Sequence, residues 1–142
     1  MFAHLDKEIA KYADKILLGG RLMFEQSLED IPNVIFPTDA VDIYDIGPKT
    51  VEIFRETLGE AQTVIWNGPL GKFEDAKYAK GTGDIAKIVS QLDANVVVGG
   101  GDTLVALEEF GLRDKIGFVS TGGGAMLAFL AGESLPGIEA LK

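Results

Sequence analysis

A three-layer, doubly wound α/β domain with a mostly parallel sheet of about five strands is the fold class this sequence predicts. Three observations predict it. Short β-rich apolar runs recur along the chain, helical patterns alternate with them, and four of the five runs end in glycine. The runs are KILL at 15–18, NVIF at 33–36, TVIW at 63–66, NVVV at 95–98 and GFVS at 117–120. Their length and lack of polar alternation suit strands buried on both faces.

The helical patterns follow in order. Leu5, Ile9 and Ala13 form the first; Val51, Phe54 and Leu58 the second; Ile85, Ile88, Val89 and Leu92 the third. Leu104, Leu107 and Phe110 make the fourth, and Met126, Leu127 and Leu130 the last. Gly47-Pro48 is expected to open the second helix and Gly59 to close it, because proline suits the first helical position and glycine the end. Thr82 stands where it can cap the third helix, Asp102 where an N-cap carboxylate would sit, and Gly111 just past the fourth. Segment 37–46, with Val41, Ile43 and Ile46, reads either as a short strand or as an extended connection. With no repeat and no linker, residues 1–142 are read as one domain of Rossmann-like type.

Composition narrows the function. A net charge of −9 without a Lys/Arg cluster argues against sequence-independent nucleic-acid binding, which needs a basic stripe. Cysteine is absent, so disulfides and thiolate metal sites are excluded, and the lone His4 has no histidine to cooperate with. No apolar run approaches the ~20 residues of a membrane helix, and the start lacks an apolar signal region. A cytoplasmic chain that contacts neither membrane nor nucleic acid is expected.

The glycine exits point to a ligand. Gly19 and Gly20, Gly68 and Gly71, Gly99 to Gly101, and Gly122 to Gly124 all follow strands, and in a parallel sheet those ends share one edge. Backbone N–H groups there, with helix N-termini behind them, make an anion site that needs no basic side chain. The spacing matches neither the dinucleotide fingerprint nor a P-loop, since after GGG the sequence continues DTLVAL with no glycine at the required offset, and Phe73 follows Lys72 where Ser or Thr is needed. Asp102 is either an N-cap or a carboxylate facing Mg²⁺ held by phosphates; the two readings use the same position. Glu74 is either solvated or an acceptor for sugar hydroxyls. Trp66 and Phe73 read as packing residues, and Lys72 is a better candidate for a phosphate than the lysines at 77–80.

The motifs DIGPKT at 45–50, TVIWNGPLGKFE at 63–74, VVGGGDT at 97–103 and VSTGGGA at 119–125, in that order, resemble the C-terminal, nucleotide-binding half of phosphoglycerate kinase. The closing LPGIEAL at 135–141 is similar to that family's end. The resemblance implies phosphoryl transfer between 1,3-bisphosphoglycerate and Mg-ADP, giving 3-phosphoglycerate and ATP. It implies that Gly19 and Gly20 border adenine, and that Asn67, Gly68, Pro69 and Lys72 surround the base and first phosphate. Glu74 would hold the ribose, Gly99, Gly100 and Gly101 would let the phosphates approach, and Asp102 would meet the nucleotide's Mg²⁺. Thr103 would touch a terminal phosphate oxygen, and the backbone of Gly122, Gly123 and Gly124 the transferring phosphoryl.

By that resemblance the acid-substrate half and the first strand of this half have no counterpart in these residues, so the chain is expected to be either a C-terminal fragment of a longer enzyme or a compact relative that repairs its sheet by oligomerising. The sheet is then expected to have an interior gap whose edge invites a second copy of the chain. Catalysis by these 142 residues alone is not expected. The alternative is a nucleotide-binding module without turnover.

Overall fold

In the computed structural model, which describes residues 7–135 and 139–140, all five expected strands form and all pair in parallel. Strand β1 (Ile16–Leu17) pairs with β2 (Val34–Ile35), while β5 (Thr63–Asn67), β6 (Asn95–Gly99) and β7 (Phe118–Ser120) form a three-stranded sheet in that order. Leu5 and His4 lie outside the described residues, as do positions 136–138 and 141 of the closing motif.

The single sheet expected is therefore divided. Among the described residues no ladder joins β1 to β5; the two parts meet instead through Leu17 and Ile35, which pack against the core of the three-stranded part, and where the Gly20 N–H donates to the Leu70 carbonyl at 2.8 Å. This is the interior gap that the resemblance implied. The open reading of 37–46 resolves as an antiparallel hairpin, β3 (Ala40–Val41) against β4 (Asp45–Ile46), turned through Asp42 at φ 52°. Aspartate is among the few residues other than glycine that tolerate this region.

Helix α1 (Pro48–Gly59) starts on Gly47-Pro48 as expected and buries Val51, Phe54 and Leu58, which its 3.6-residue period places on one face. Gly47 has no side chain with which to cap, so Asp39 does it from a distance. Its Oδ2 accepts the Lys49 N–H at 3.0 Å, and its Oδ1 accepts the Thr50 N–H at 2.7 Å. A Cβ on Gly47 would collide with that carboxylate.

Two capping expectations are corrected. Helix α2 (Lys80–Ser90) begins before Thr82, which is fully buried and accepts the Leu70 N–H at 3.1 Å instead. Helix α3 (Gly101–Glu109) has Gly100 as its N-cap, so Asp102 falls in the first turn and makes no capping bond. A threonine or aspartate near a helix start is legible in sequence; whether its oxygen bonds locally or across the fold is not. Gly111 does follow α3, at φ 67°. Helix α4 (Gly123–Leu130) comes last.

Parallel register sorts the central sheet into two faces. Val64, Trp66, Val98 and Val119 share the face packed on Phe54 and Leu58 of α1, Ile85 and Val89 of α2, and Leu107 of α3. On the other face α4 brings Met126 against Gly99. Further down that face Ile65, Val97 and Phe118 stand in one register row; Ile65 is 46% and Phe118 62% exposed.

Candidate functional site

Asn67, Gly99 and Ser120 are register partners at the carboxyl ends of the central strands, so the loops after them open at one edge. Hydrogen bonds link those loops, and the loop after β1, in series. Gly20 donates to Leu70 O at 2.8 Å, Gly68 N–H to Thr103 Oγ1 at 2.8 Å, and Gly100 N–H to Ser120 O at 3.3 Å. All four glycine exits predicted to share an edge are thus brought together.

Two glycines show why the chain spends them here. Gly100 has φ 96°, and a Cβ on it would come 3.0 Å from Asn67 Oδ1. A Cβ on Gly123 would collide with the same oxygen and lie 2.6 Å from Gly100 Cα. The loops interlock through hydrogen-sized side chains, with the Asn67 amide at their centre. Its Oδ1 is buried without a hydrogen-bond partner. Buried acceptors are usually paired, so this oxygen, without a partner among the described residues, is the polar atom at the junction that a ligand or a water can satisfy.

The edge combines backbone N–H donors with two exposed carboxylates, Asp102 and Glu74. The first N–H groups of α3 and α4 have no acceptor four residues back, and their helix dipoles point positive ends at this edge. Gly101, Asp102, Gly122 and Gly124 are exposed, whereas Gly123 and Thr103 are buried. Lys72 and Glu74 are exposed on the loop after Pro69. Trp66 and Phe73 are buried, as packing residues should be, and the Trp66 indole N–H donates to Gly68 O at 2.7 Å. No group of three or more acidic, histidine or cysteine residues suited to a metal occurs among the described residues. A cavity of about 450 Å³ opens at the opposite end of the sheet, by Ser90, Asn95 and Phe118, but Lys115 is the only titratable side chain lining it.

Sequence reading missed Asp45. Its carboxylate is fully buried behind the loop after β5, where Oδ2 accepts the Gly81 N–H at 2.8 Å and Oδ1 the Ile46 N–H at 2.9 Å. A Cβ on Gly71 or Gly81 would collide with it. Burial pushes this carboxyl above the usual aspartate value, against the pull of the two N–H donors, and the Asp84 charge adds to the rise. The only sequence signal was an aspartate preceding Ile-Gly-Pro, which does not distinguish a buried carboxylate from a solvated one.

Residues 4–133 match the family model for phosphoglycerate kinase. The chain belongs to the phosphoglycerate kinase family. It is 44% identical to the phosphoglycerate kinase of Lactiplantibacillus plantarum over 139 residues, covering 94% of this chain and 35% of that protein. With the Levilactobacillus brevis enzyme it shares 44% over 144 residues, 97% of this chain and 36% of the relative. The structure of phosphoglycerate kinase from Coxiella burnetii superposes with a TM-score of 0.86 at 28% identity, over 99% of this chain and 50% of that one. That of Pyrococcus horikoshii OT3 gives 0.79 at 28% identity. The chain thus spans about a third of the length of the curated relatives it matches. The resemblance in family and in α/β fold is borne out. Among the described residues no helix is long and apolar enough to cross a membrane.

Proposed function

We propose that this chain supplies the ADP/ATP-binding half of a phosphoglycerate kinase, the enzyme that transfers a phosphoryl group between 1,3-bisphosphoglycerate and Mg-ADP. The observation that carries the reading is the interlocked glycine edge with two helix N-termini behind it, in a chain of this family. Gly19 and Gly20 border adenine; Asn67, Gly68, Pro69 and Lys72 surround the base and first phosphate; Glu74 holds the ribose. Gly99 to Gly101 admit the phosphates closely, and Gly122 to Gly124 offer N–H groups to the transferring phosphoryl. Phosphoryl transfer asks mainly for positioning and for stabilisation of charge on the equatorial oxygens, which such donors supply.

The donor set fits a Mg²⁺ carried in by the nucleotide. Asp102 is an exposed carboxylate beside the phosphate edge, and one such ligand plus phosphate oxygens is a usual Mg²⁺ environment. When bound, the ion neutralises phosphate charge. The acid substrate, 1,3-bisphosphoglycerate or 3-phosphoglycerate, is met only when an N-terminal domain is supplied, and the reaction belongs to cytoplasmic glycolysis. Self-association through the free edge of β5 accompanies this reading, and a compact monomer by size-exclusion chromatography would refute that part.

A second reading, nucleotide binding without turnover, is favoured by Thr103. Its hydroxyl accepts Gly68 N–H and keeps its own hydrogen to donate, but the side chain is fully buried, so contact with a terminal phosphate requires the loops that cover it to part. Calorimetric titration of Mg-ADP into the chain tests both readings. Saturable binding that weakens on chelation and in Asp102→Ala supports a working nucleotide half. A folded chain that does not bind overturns it, and binding without turnover after the missing half is added selects the second reading.

A further inference from the structure

Hairpin β3–β4 has no part in the ligand contacts above, yet three of its residues reach one neighbouring stretch, 71–81. Asp45 accepts the Gly81 N–H, and its carboxylate lies where a Cβ on Gly71 would be. The Tyr44 carbonyl accepts the Lys72 N–H at 2.8 Å, and the Tyr44 ring lies 5.8 Å from the Lys72 ammonium, within cation–π range. Asp42 accepts from Lys77 Nζ at 2.8 Å and from the Tyr78 hydroxyl at 2.7 Å, while the Tyr44 and Tyr78 rings pack with centroids 5.0 Å apart.

The held stretch opens with Lys72 and Glu74. Both side chains are exposed and neither is fixed by a side-chain hydrogen bond or ion pair. Where the Glu74 head stands is therefore set by the backbone beneath it, and where the Lys72 head stands by that backbone and the Tyr44 ring; the backbone includes Gly71, whose freedom works against a single conformation. A surface ordered before the ligand arrives loses less entropy on binding and so binds more tightly.

We propose that the β3–β4 hairpin is a clamp that positions the Lys72–Glu74 segment for nucleotide, with Asp45 and Tyr44 as positioning residues. The clamp rests on the nucleotide reading above. It assigns a purpose to a fully buried carboxylate that the phosphate edge does not use, and it explains why Gly71 and Gly81 both lack side chains.

The test measures Mg-ADP affinity and amide hydrogen exchange in the full chain and three variants. Asp45→Asn keeps the shape but turns an NH₂ group towards one of the two N–H donors, and affinity is expected to fall roughly tenfold. Tyr44→Ala changes a half-exposed residue that the core does not need, so it guards against a fold failure of the first variant. It should bind several-fold more weakly, while Tyr44→Phe, which keeps the ring, should match the wild type. In the weakened variants exchange at Lys72 and Phe73 should accelerate while the Val64–Trp66 amides stay as they were. Wild-type affinity in Asp45→Asn and Tyr44→Ala overturns the clamp and leaves the nucleotide reading standing. Faster exchange throughout β5 and β6 also overturns it, since the hairpin then supports the whole fold. A wild type that does not bind Mg-ADP overturns the nucleotide reading, and the clamp with it.

Discussion

The two parallel ladders are held by different physics. The three-stranded part packs Val64, Trp66 and Val98 against three helices, with Phe54, Val98 and Leu107 essentially sealed from water. The two-stranded part has strands of two residues each, two 3-10 turns at 20–28, and only Leu18 and Leu28 fully buried. What secures it is half-buried packing of Leu17 and Ile35 on the core of the three-stranded part together with a few polar ties: the Asn33 amide donates to the carbonyls of Ala10 and Ala13 at 2.8 and 2.7 Å, and Gly20 to Leu70. Buried apolar area sets the free energy of global unfolding, and segments tied by a few half-exposed hydrogen bonds open well below it. A nucleotide edge that draws one loop from the weak part and three from the strong part is thus built on unequal ground.

Breaking the strong part should have the largest effect. Phe54→Ala is expected to lower stability by about 3–5 kcal/mol in urea denaturation, from lost burial plus the cavity left behind. If β1 and β2 amides lose protection only together with β5 in this variant, the two parts are one cooperative unit and the contrast fails. Next comes Gly123→Ala, whose Cβ has Asn67 Oδ1 and the Gly100 backbone in its way; overpacking of this kind costs about 1–3 kcal/mol. It should also weaken Mg-ADP, and unchanged affinity would separate the interlock from the ligand. Thr103→Val leaves the half-buried Gly68 N–H without its acceptor, for about 1 kcal/mol by the same denaturation assay. Asp39→Ala removes the distant cap of α1 and should cost about 1 kcal/mol.

The smallest effect sharpens a second contrast, between Asp39 and Asp45, two of the three aspartates of the 37–46 region. Burial raises Asp39, but the Thr50 hydroxyl, the N–H groups of Lys49 and Thr50 and the Lys49 charge outweigh it, and its carboxyl ends below the usual value. The unfolded chain then holds the proton more tightly, so Asp39 contributes stability above its ordinary value that is lost as pH falls through its folded pKa. Asp45 runs the other way. Its raised carboxyl binds a proton more tightly when folded, so its contribution is present below the ordinary value and lost as pH rises through the folded pKa. Stability of the wild type minus that of Asp39→Asn should shrink on acidification, and the same difference for Asp45→Asn should grow. Parallel curves would mean the two carboxylates share one environment.

How much of this was legible follows from the same contrast. The β5–β7 half was readable because short apolar runs and tight strand exits leave marks in the residues themselves, TVIW, NVVV and the glycines after them, but the expected burial on both faces is corrected: only one face is sealed, and Ile65 and Phe118 on the other are exposed. The glycine edge was readable for the same reason, as far as the four loops opening at one edge. The Asp39 cap was not, because it crosses from one segment to another and a lone aspartate before Ala-Val carries no sign of its target. Thr82 and Thr103 were misread or half-read because a hydroxyl near a helix start can serve the first turn or a neighbouring loop, and only packing decides. The division of the sheet was inferred from family resemblance and not from periodicity, since a strand that is absent leaves no pattern.

The register row of Ile65, Val97 and Phe118 has a practical consequence. An environment-sensitive apolar dye will find these side chains on the native chain, since Phe118 is 62% exposed. Dye-monitored melting will therefore start from a high baseline and can fall on heating where other proteins rise. Intrinsic fluorescence of the buried Trp66 is the better reporter, because its signal comes from the opposite face of the same strand.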